Sequence, residues 1–121
     1  MSHPVQALDE VVHQRTRLGI LSVLAEGGRA QFGYIQESLG LSDGNLSRHL
    51  QTLEAAGYVR VEKGYEGRRP RTWVRISKAG RQALAAEIRL LRELADRLDH
   101  STEAFLDDEG STVERDANRR S

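Results

Sequence analysis

Residues 41–57, LSDGNLSRHLQTLEAAG, concentrate the side chains that could make specific contacts with another molecule. Placed on a helix at about 100° per residue, one face of this segment carries only small or hydrogen-bonding groups. Such a face suits entry into the major groove of DNA, because donors and acceptors can meet base edges and nothing bulky blocks the approach. An ordinary amphipathic surface helix has the same pattern, so the flanking segments must decide. The face comprises Gly44, Asn45, Ser47, Arg48, Gln51, Thr52 and Ala55.

The opposite face of the same segment predicts where the helix begins, packs and ends. Leu46, Leu50 and Leu53 follow one another at spacings of four and three, which makes one apolar stripe. Ser42 is predicted to cap the first turn, because its hydroxyl can accept from an unpaired backbone N–H. Gly57 stands where a helix ends in the left-handed conformation that glycine adopts at low cost. We therefore predict one capped helix that is anchored by its leucines.

A strongly basic segment follows this helix, although the net charge of the chain is zero. Residues 58–78 contain seven basic residues and two acidic ones, a net charge of +5. Residues 79–121 contain seven Arg and ten acidic residues, a net charge of −3. Since the distribution of charge matters more than its sum, the neutral total does not argue against a nucleic-acid partner.

The basic segment alternates polar and apolar residues in two runs. Val59 and Val61 in the first run, and Thr72, Val74 and Ile76 in the second, predict the two strands of a β-hairpin. The intervening residues 64–70 are rich in turn formers and arginine, which predicts a long basic tip. A solvated turn is the simpler interpretation, but the position directly after the predicted helix favours contact with phosphates or the minor groove.

Two further helices are predicted before this unit. Residues 14–25 have helical periodicity, and residues 32–39 place Phe32, Ile35 and Leu39 on one face. Residues 29–31 are too short for anything but a small strand or a connector. A short helix, a turn at Gly40 and a second short helix form the helix-turn-helix arrangement.

The last predicted helix, residues 78–106, would be about 43 Å long. A heptad seam runs along it, and the preceding domain is too small to cover that length. An uncovered apolar stripe usually finds a partner chain, which predicts a homodimer; the alternative is that the helix folds back on the N-terminal helix of its own chain. The seam consists of Leu84, Ile88, Leu91, Ala95, Leu98, Thr102 and Phe105.

Several classes of function are disfavoured by composition. The absence of cysteine excludes disulfides and thiolate metal sites. The four histidines are scattered, and His100 with Glu103 supplies only two ligands, so we predict neither a metal nor a cofactor. No set of nucleophile, base and orienting acid is placed on converging elements, which argues against an enzyme. No membrane span or signal peptide is found, so we expect a cytoplasmic protein. The sequence leaves room for a small-molecule effector without identifying one.

The chain resembles the winged helix-turn-helix transcriptional regulators of the ArsR/MarR-like group, and in particular stand-alone winged helix DNA-binding domain proteins of bacteria and archaea. The resemblance covers about residues 12–84. It implies a mainly α fold with a small β-hairpin (α+β) and a DNA-binding role. Together with the heptad seam, it predicts a sequence-specific DNA-binding transcriptional regulator that acts as a homodimer. We predict a repressor, although the sequence itself does not distinguish repression from activation. It is carried by RLGIL at residues 17–21, LGLSDGNLSRHL at residues 39–50, LEAAGY at residues 53–58, GRRPRT at residues 67–72 and SKAGR at residues 77–81.

Combining the pattern with the resemblance, we predict which residues contact DNA. Arg48 should bind guanine through two hydrogen bonds, while His49 is equally suited to packing. The recognition helix supplies Ser42, Gly44, Asn45, Ser47, Arg48, His49, Gln51 and Thr52, and the hairpin supplies Lys63, Tyr65, Arg68, Arg69 and Arg71.

The predicted boundaries are residues 1–80 for the DNA-binding domain, 81–106 for a dimerisation helix and 107–121 for a disordered tail. The alternative function is a winged-helix module that binds another protein and no DNA. Such a module would more often expose apolar residues on the recognition-type helix, so the polar face and the basic hairpin favour DNA.

Overall fold

A computed structural model describes residues 3–108 of the chain. Four α-helices and three β-strands follow a short 3-10 helix at Pro4–Ala7. This architecture confirms the predicted mainly α fold with a β-hairpin. The elements are α1 (Arg15–Gly27), β1 (Arg29–Gln31), α2 (Phe32–Leu39), α3 (Asp43–Ala55), β2 (Val59–Glu66), β3 (Arg69–Ile76) and α4 (Lys78–Asp108).

The ends of α3 follow from its sequence. The Asn45 backbone N–H donates to Ser42 Oγ at 3.1 Å, which confirms the predicted N-cap. Gly40 and Gly57 have φ angles of +65° and +81°, a left-handed conformation that a residue with a Cβ rarely adopts. The turn between α2 and α3 is further closed by Gln36, whose side-chain amide donates to Asp43 Oδ1. The helix-turn-helix is therefore held by backbone geometry and side-chain contacts together.

The three strands form one antiparallel sheet with β3 in the centre, in the order β1-β3-β2. Glu66 pairs with Arg69 at the hairpin end, which leaves a two-residue turn, so the prediction of a long tip over residues 64–70 was wrong. Gly64 resembles a turn residue in the sequence but lies inside β2. A Cβ at this position would stand only 3.0 Å from Cδ1 of the Trp73 ring, so glycine suits the strand here. Pro70 is tolerated in β3 because β1 pairs only with residues 73–75.

The hydrophobic core lies between the helices and one face of the sheet. α1 contributes Ile20, Leu21 and Leu24, and the predicted stripe of α3 is fully buried against them. Val74 and Ile76 of β3 close the core from the sheet side. Because each helix buries one stripe, the polar face of α3 is turned to solvent.

The start of α4 is fixed against the end of the recognition-type helix. Ser77 Oγ donates to the Gly57 carbonyl at 2.6 Å and accepts from the Gly80 backbone N–H at 2.9 Å. A Cβ at Gly80 would lie 2.2 Å from the Tyr58 carbonyl oxygen, so only glycine allows this approach. The base of α4 is therefore rigidly joined to the loop between α3 and β2.

Along α4, the environment of the predicted seam changes. Leu84 belongs to the core of its own chain with 6% exposure, whereas Ile88, Leu98 and Phe105 are 38%, 62% and 60% exposed. The first turns pack on α1 and the 3-10 helix, as the fold-back alternative predicted, and the remainder extends outward. The helix continues to Asp108, past the predicted end at residue 106, and the remainder of the predicted tail lies outside the described residues. Within residues 3–108, no helix is long and apolar enough to cross a membrane.

Candidate nucleic-acid interface

The solvent face of α3 presents the predicted contact residues as one surface. Gly44, Asn45, Ser47, Arg48 and Gln51 are all exposed. Within this surface, Arg48 Nη2 donates to Asn45 Oδ1 at 2.6 Å, so the two side chains form one unit. This pairing leaves further guanidinium N–H groups free to donate to a base edge.

Thr52 and His49 lie at the edge of this surface and are half-buried. Thr52 Oγ1 donates to the Arg48 carbonyl of its own helix at 3.4 Å. His49 Nδ1 lies 3.2 Å from Arg17 Nη1 of α1. Burial lowers the pKa of His49 below its usual value, and the nearby cations Arg17 and Arg48 lower it further. His49 therefore contacts α1 of its own chain through Arg17.

A groove of about 400 Å³ separates α3 from the hairpin. Its polar lining includes Ser47 and Gln51 from α3, and Lys63 and Thr72 from the two strands. Glu54 also lines it, and this carboxylate accepts from the Val61 backbone N–H at 3.3 Å. The structure therefore brings two predicted contact residues of the helix, Ser47 and Gln51, and one of the hairpin, Lys63, to adjoining walls.

The hairpin exposes most of its predicted contact residues, and we refer to it as the wing. Lys63, Tyr65, Arg68 and Arg69 are exposed, and in the described part of the chain the three cations among them have no ion-pair partner. Arg71 is half-buried, with Nε at 3.4 Å from Glu66 Oε1. The positive charge of the wing is consequently strongest at its turn.

Trp73 lies at the base of the wing. The Arg29 guanidinium of β1 stacks over its ring, 4.0 Å from the centroid. Because Gly64 of β2 also lies against this ring, the ring is held within the sheet. The single Trp of the chain thus packs within the hairpin.

Several polar residues that connect the interface to the rest of the chain were not predicted. Glu87 is buried in α4 with 1% exposure, and its Oε2 lies 2.5 Å from His13 Nδ1. Tyr58 donates its hydroxyl to Asp9 Oδ2 at 2.6 Å. A signal for Glu87 was present, because an acid three residues after Leu84 falls on the apolar stripe of α4. The Tyr58 contact joins residues far apart in sequence and leaves no local pattern.

We next consider whether titratable side chains within residues 3–108 could bind a metal. Across residues 3–108, no group of three His, Asp or Glu side chains lies close enough together to hold a metal ion. His100 and Glu103 lie on the exposed outer part of α4. The candidate functional surface of the described residues is the helix face with the adjoining wing.

Comparison with known proteins agrees with this geometry. The family model described as a winged helix DNA-binding domain matches residues 16–95. An uncharacterised protein of Methanocaldococcus jannaschii, MJ0432, is 31% identical over 90 residues, which cover 74% of this chain and 98% of the relative.

Solved structures of similar fold are those of transcriptional regulators. A transcriptional regulator homologue from Pyrococcus horikoshii OT3 has 32% identity and a TM-score of 0.75, over 79% of this chain and 97% of that one. A MarR family regulator from Silicibacter pomeroyi has 20% identity and a TM-score of 0.58, over 91% and 79% of the two chains. The latter likeness concerns the fold alone.

Proposed function

This chain belongs to the family of winged helix DNA-binding domains, and on that premise we propose that it is a sequence-specific repressor of transcription that acts as a homodimer. The family and the fold are those of transcriptional regulators and not of enzymes. A regulator of this kind works where the DNA is, in the cytoplasm of a bacterial or archaeal cell.

In the proposed complex, the recognition helix, residues 42–56, enters the major groove. Arg48 donates two hydrogen bonds to guanine, with Asn45 holding its guanidinium in place. Ser47 and Gln51 reach neighbouring base edges or phosphates. The N-terminus of the helix, at Ser42 and Gly44, faces a phosphate.

The wing, residues 63–71, contacts the phosphate backbone or the minor groove beside the recognition helix. Lys63, Arg68 and Arg69 supply the unpaired cations, and Tyr65 supplies an exposed ring and hydroxyl. These contacts give affinity that depends strongly on salt and little on sequence. The division leaves base reading to α3.

The observation that carries the proposal is the adjacency of two surfaces of different chemistry. The exposed face of α3 is small and hydrogen-bonding. Lys63 of the wing lies across the groove, and Arg68 and Arg69 lie nearer the turn; none of these three cations has an ion-pair partner within residues 3–108. A winged helix that binds only protein would more often expose apolar residues at these places.

The homodimer rests on the outer part of α4, where Leu98 and Phe105 are exposed. Two recognition helices related by a two-fold axis would read half-sites about one helical turn apart, on the order of 34 Å. A dimer bound across a promoter would block access of the polymerase, which is the basis for proposing repression.

Selection of bound duplexes from a random pool tests the proposal as a whole. We expect an enriched palindrome whose half-sites are centred about 10 base pairs apart. Enrichment of a single, non-repeated site would contradict the homodimer but not DNA binding. No enrichment, together with weak binding to all duplexes, would favour the protein-interaction module instead.

A further inference from the structure

Residues 9–14, which we call the N-terminal strap, connect the 3-10 helix to α1 and are tied to two other elements. His13 Nδ1 lies 2.5 Å from Oε2 of the buried Glu87 in α4. Asp9 accepts from the Tyr58 hydroxyl at 2.6 Å, and its other oxygen accepts from the Val11 backbone N–H at 2.9 Å. The strap therefore has a fixed position relative to α4 and to the start of β2.

Arg17 in the first turns of α1 joins this strap to the recognition helix. Its Nε donates to the Val11 carbonyl at 2.6 Å and its Nη2 to the Glu10 carbonyl at 3.3 Å. Its Nη1 lies 3.2 Å from His49 Nδ1. Three nitrogens of one planar group thus contact two elements, and two of them fix the direction of the third.

We propose that Arg17 is a positioning residue for DNA recognition: it holds α3 in its reading position through His49, while the strap, itself tied to α4 by His13 and Glu87, holds Arg17. The inference rests on the proposed function, because it assigns to both residues a role in DNA binding without contact with DNA. His49 directly follows Arg48 in α3, so a contact that fixes the position of His49 also fixes the backbone that carries Arg48.

The donor and acceptor roles in the hydrogen bond between Arg17 and His49 support this role. A guanidinium can only donate, so His49 Nδ1 must accept and the ring proton must be on Nε2. Protonation of Nδ1 would remove the acceptor and set a cation against Arg17 of α1 and Arg48 of α3, the charged groups that act on His49. The contact is therefore formed at neutral pH and lost in acid.

A pH profile distinguishes positioning from direct contact. For the wild type on a selected duplex, we expect affinity to fall as the pH is lowered from 7.5 through the pKa of His49. The fall should reach about tenfold once the imidazole is protonated, as expected for loss of a charge-assisted hydrogen bond. In His49→Gln, which keeps an acceptor and cannot titrate, this fall should be absent. If acid instead strengthens wild-type binding and His49→Gln removes the gain, His49 contacts a phosphate and the proposal is wrong. Equal profiles for the two proteins would also overturn it.

The second measurement compares two arginines of α1. Arg17→Leu should lower affinity by about tenfold with an unchanged salt slope, because no phosphate contact is lost. Arg15→Leu removes the same charge from an exposed position on the same helix and should leave affinity unchanged. A slope shallower by about 1 in Arg17→Leu would mean that Arg17 itself touches a phosphate. Equal affinities of the two variants would likewise refute positioning.

Controls separate this inference from folding and from the proposed function. If circular dichroism shows that Arg17→Leu is unfolded, Arg17→Lys carries the test, since it keeps the charge but loses the planar fork. In the free protein, NMR titration should show a higher pKa of His49 in Arg17→Leu than in the wild type. This readout needs no DNA, so an unchanged pKa sinks the inference even if the wild type selects no duplex. Failure of selection alone concerns only the proposed function.

Discussion

Arg48, which we propose contacts a base, is held in place by a neighbour on its own helix. Its guanidinium is held by Asn45 one turn earlier on α3, with the donor and acceptor 2.6 Å apart. A side chain fixed in this way loses less rotamer freedom when it binds, and the planar fork matches guanine. Arg48 should therefore contribute to discrimination between bases as well as to affinity.

Replacing Arg48 by alanine should cost about 1–3 kcal/mol on a selected duplex and relax the preference at one base pair. Mobility shifts on the selected duplex and on duplexes with single base changes would measure both effects. The exposed Arg89 of α4 provides the control, because Arg89→Ala removes one charge away from the proposed interface. Undiminished discrimination in Arg48→Ala would show that another residue reads the base.

Asp9 and Tyr58 form a pair whose strength depends on pH. Burial raises the pKa of the Asp9 carboxyl, but hydrogen bonds from Tyr58 and from the backbone of Val11 and Val12 outweigh it, so the pKa lies below 3.8. The bond to Asp9 raises the pKa of Tyr58 above 10, with burial adding to the shift. Folding favours the ionised form of Asp9, so this pair stabilises the fold above the unfolded pKa of Asp9. Folding also favours the protonated phenol of Tyr58, so the pair stabilises the fold below the unfolded pKa of Tyr58. The pair is thus strongest between about pH 4 and 10.

Removing the hydroxyl with Tyr58→Phe should lower the free energy of unfolding by about 1 kcal/mol at pH 7, the size of one hydrogen bond to a partly exposed charge. In acid below the lowered pKa of Asp9, the carboxyl is protonated in the folded wild type as well, so the difference from the variant should shrink. Urea unfolding at neutral and at acid pH measures it. A constant difference across this range would mean that the carboxylate charge does not matter.

Side-chain contacts between residues far apart in the sequence could not be predicted from the sequence. The exposed face of α3 was predictable, because its pattern depends only on helical periodicity and on three buried leucines. The partner of His49 was not, since Arg17 lies 32 residues away and meets it only once α1 and α3 pack together. The residues proposed to touch DNA came from periodicity and resemblance, whereas those that position them came from tertiary packing.

At the scale of elements, the two-residue turn makes the wing a paired ribbon almost to its end. Gly67 has a φ of +62°, which suits a tight turn, and it is followed by Arg68 and Arg69. The helices were predicted closely because caps and glycines mark their ends. The length of the turn was predicted wrongly because glycine and proline are common turn residues. Gly64 fits in β2 because it lies against the Trp73 ring, and Pro70 fits in β3 because β1 is too short to pair with it.

Arg68→Ala combined with Arg69→Ala should weaken binding to all duplexes alike. If each contacts one phosphate, the slope of log affinity against log salt should become shallower by about 1.8. Fluorescence anisotropy between about 50 and 200 mM salt measures this slope. Arg71→Ala is the comparison, and it should change the slope less because Glu66 already offsets its charge. A double variant with altered base preference and unchanged slope would argue for base reading by the wing.

At the scale of the whole molecule, the two parts of α4 lie in different environments. Its first turns bury Leu84 and Glu87 within the chain, against α1 and the N-terminal residues. Its outer part carries exposed apolar side chains and extends beyond the domain. The 31 residues of α4 correspond to a length of about 46 Å, which a domain of this size cannot cover by itself. Substitutions in the two parts should therefore have different consequences.

Leu98→Glu should yield a folded monomer, because Leu98 is 62% exposed in the single chain and contributes little to its core. Light scattering after gel filtration would give the mass, and circular dichroism would check the fold. Binding to a palindromic duplex should weaken, since each monomer engages one half-site without the other. His100→Glu places the same charge about 200° away around the helix and should stay dimeric. A wild-type protein with the mass of one chain would refute the proposed seam and leave the recognition surface of α3 unaffected.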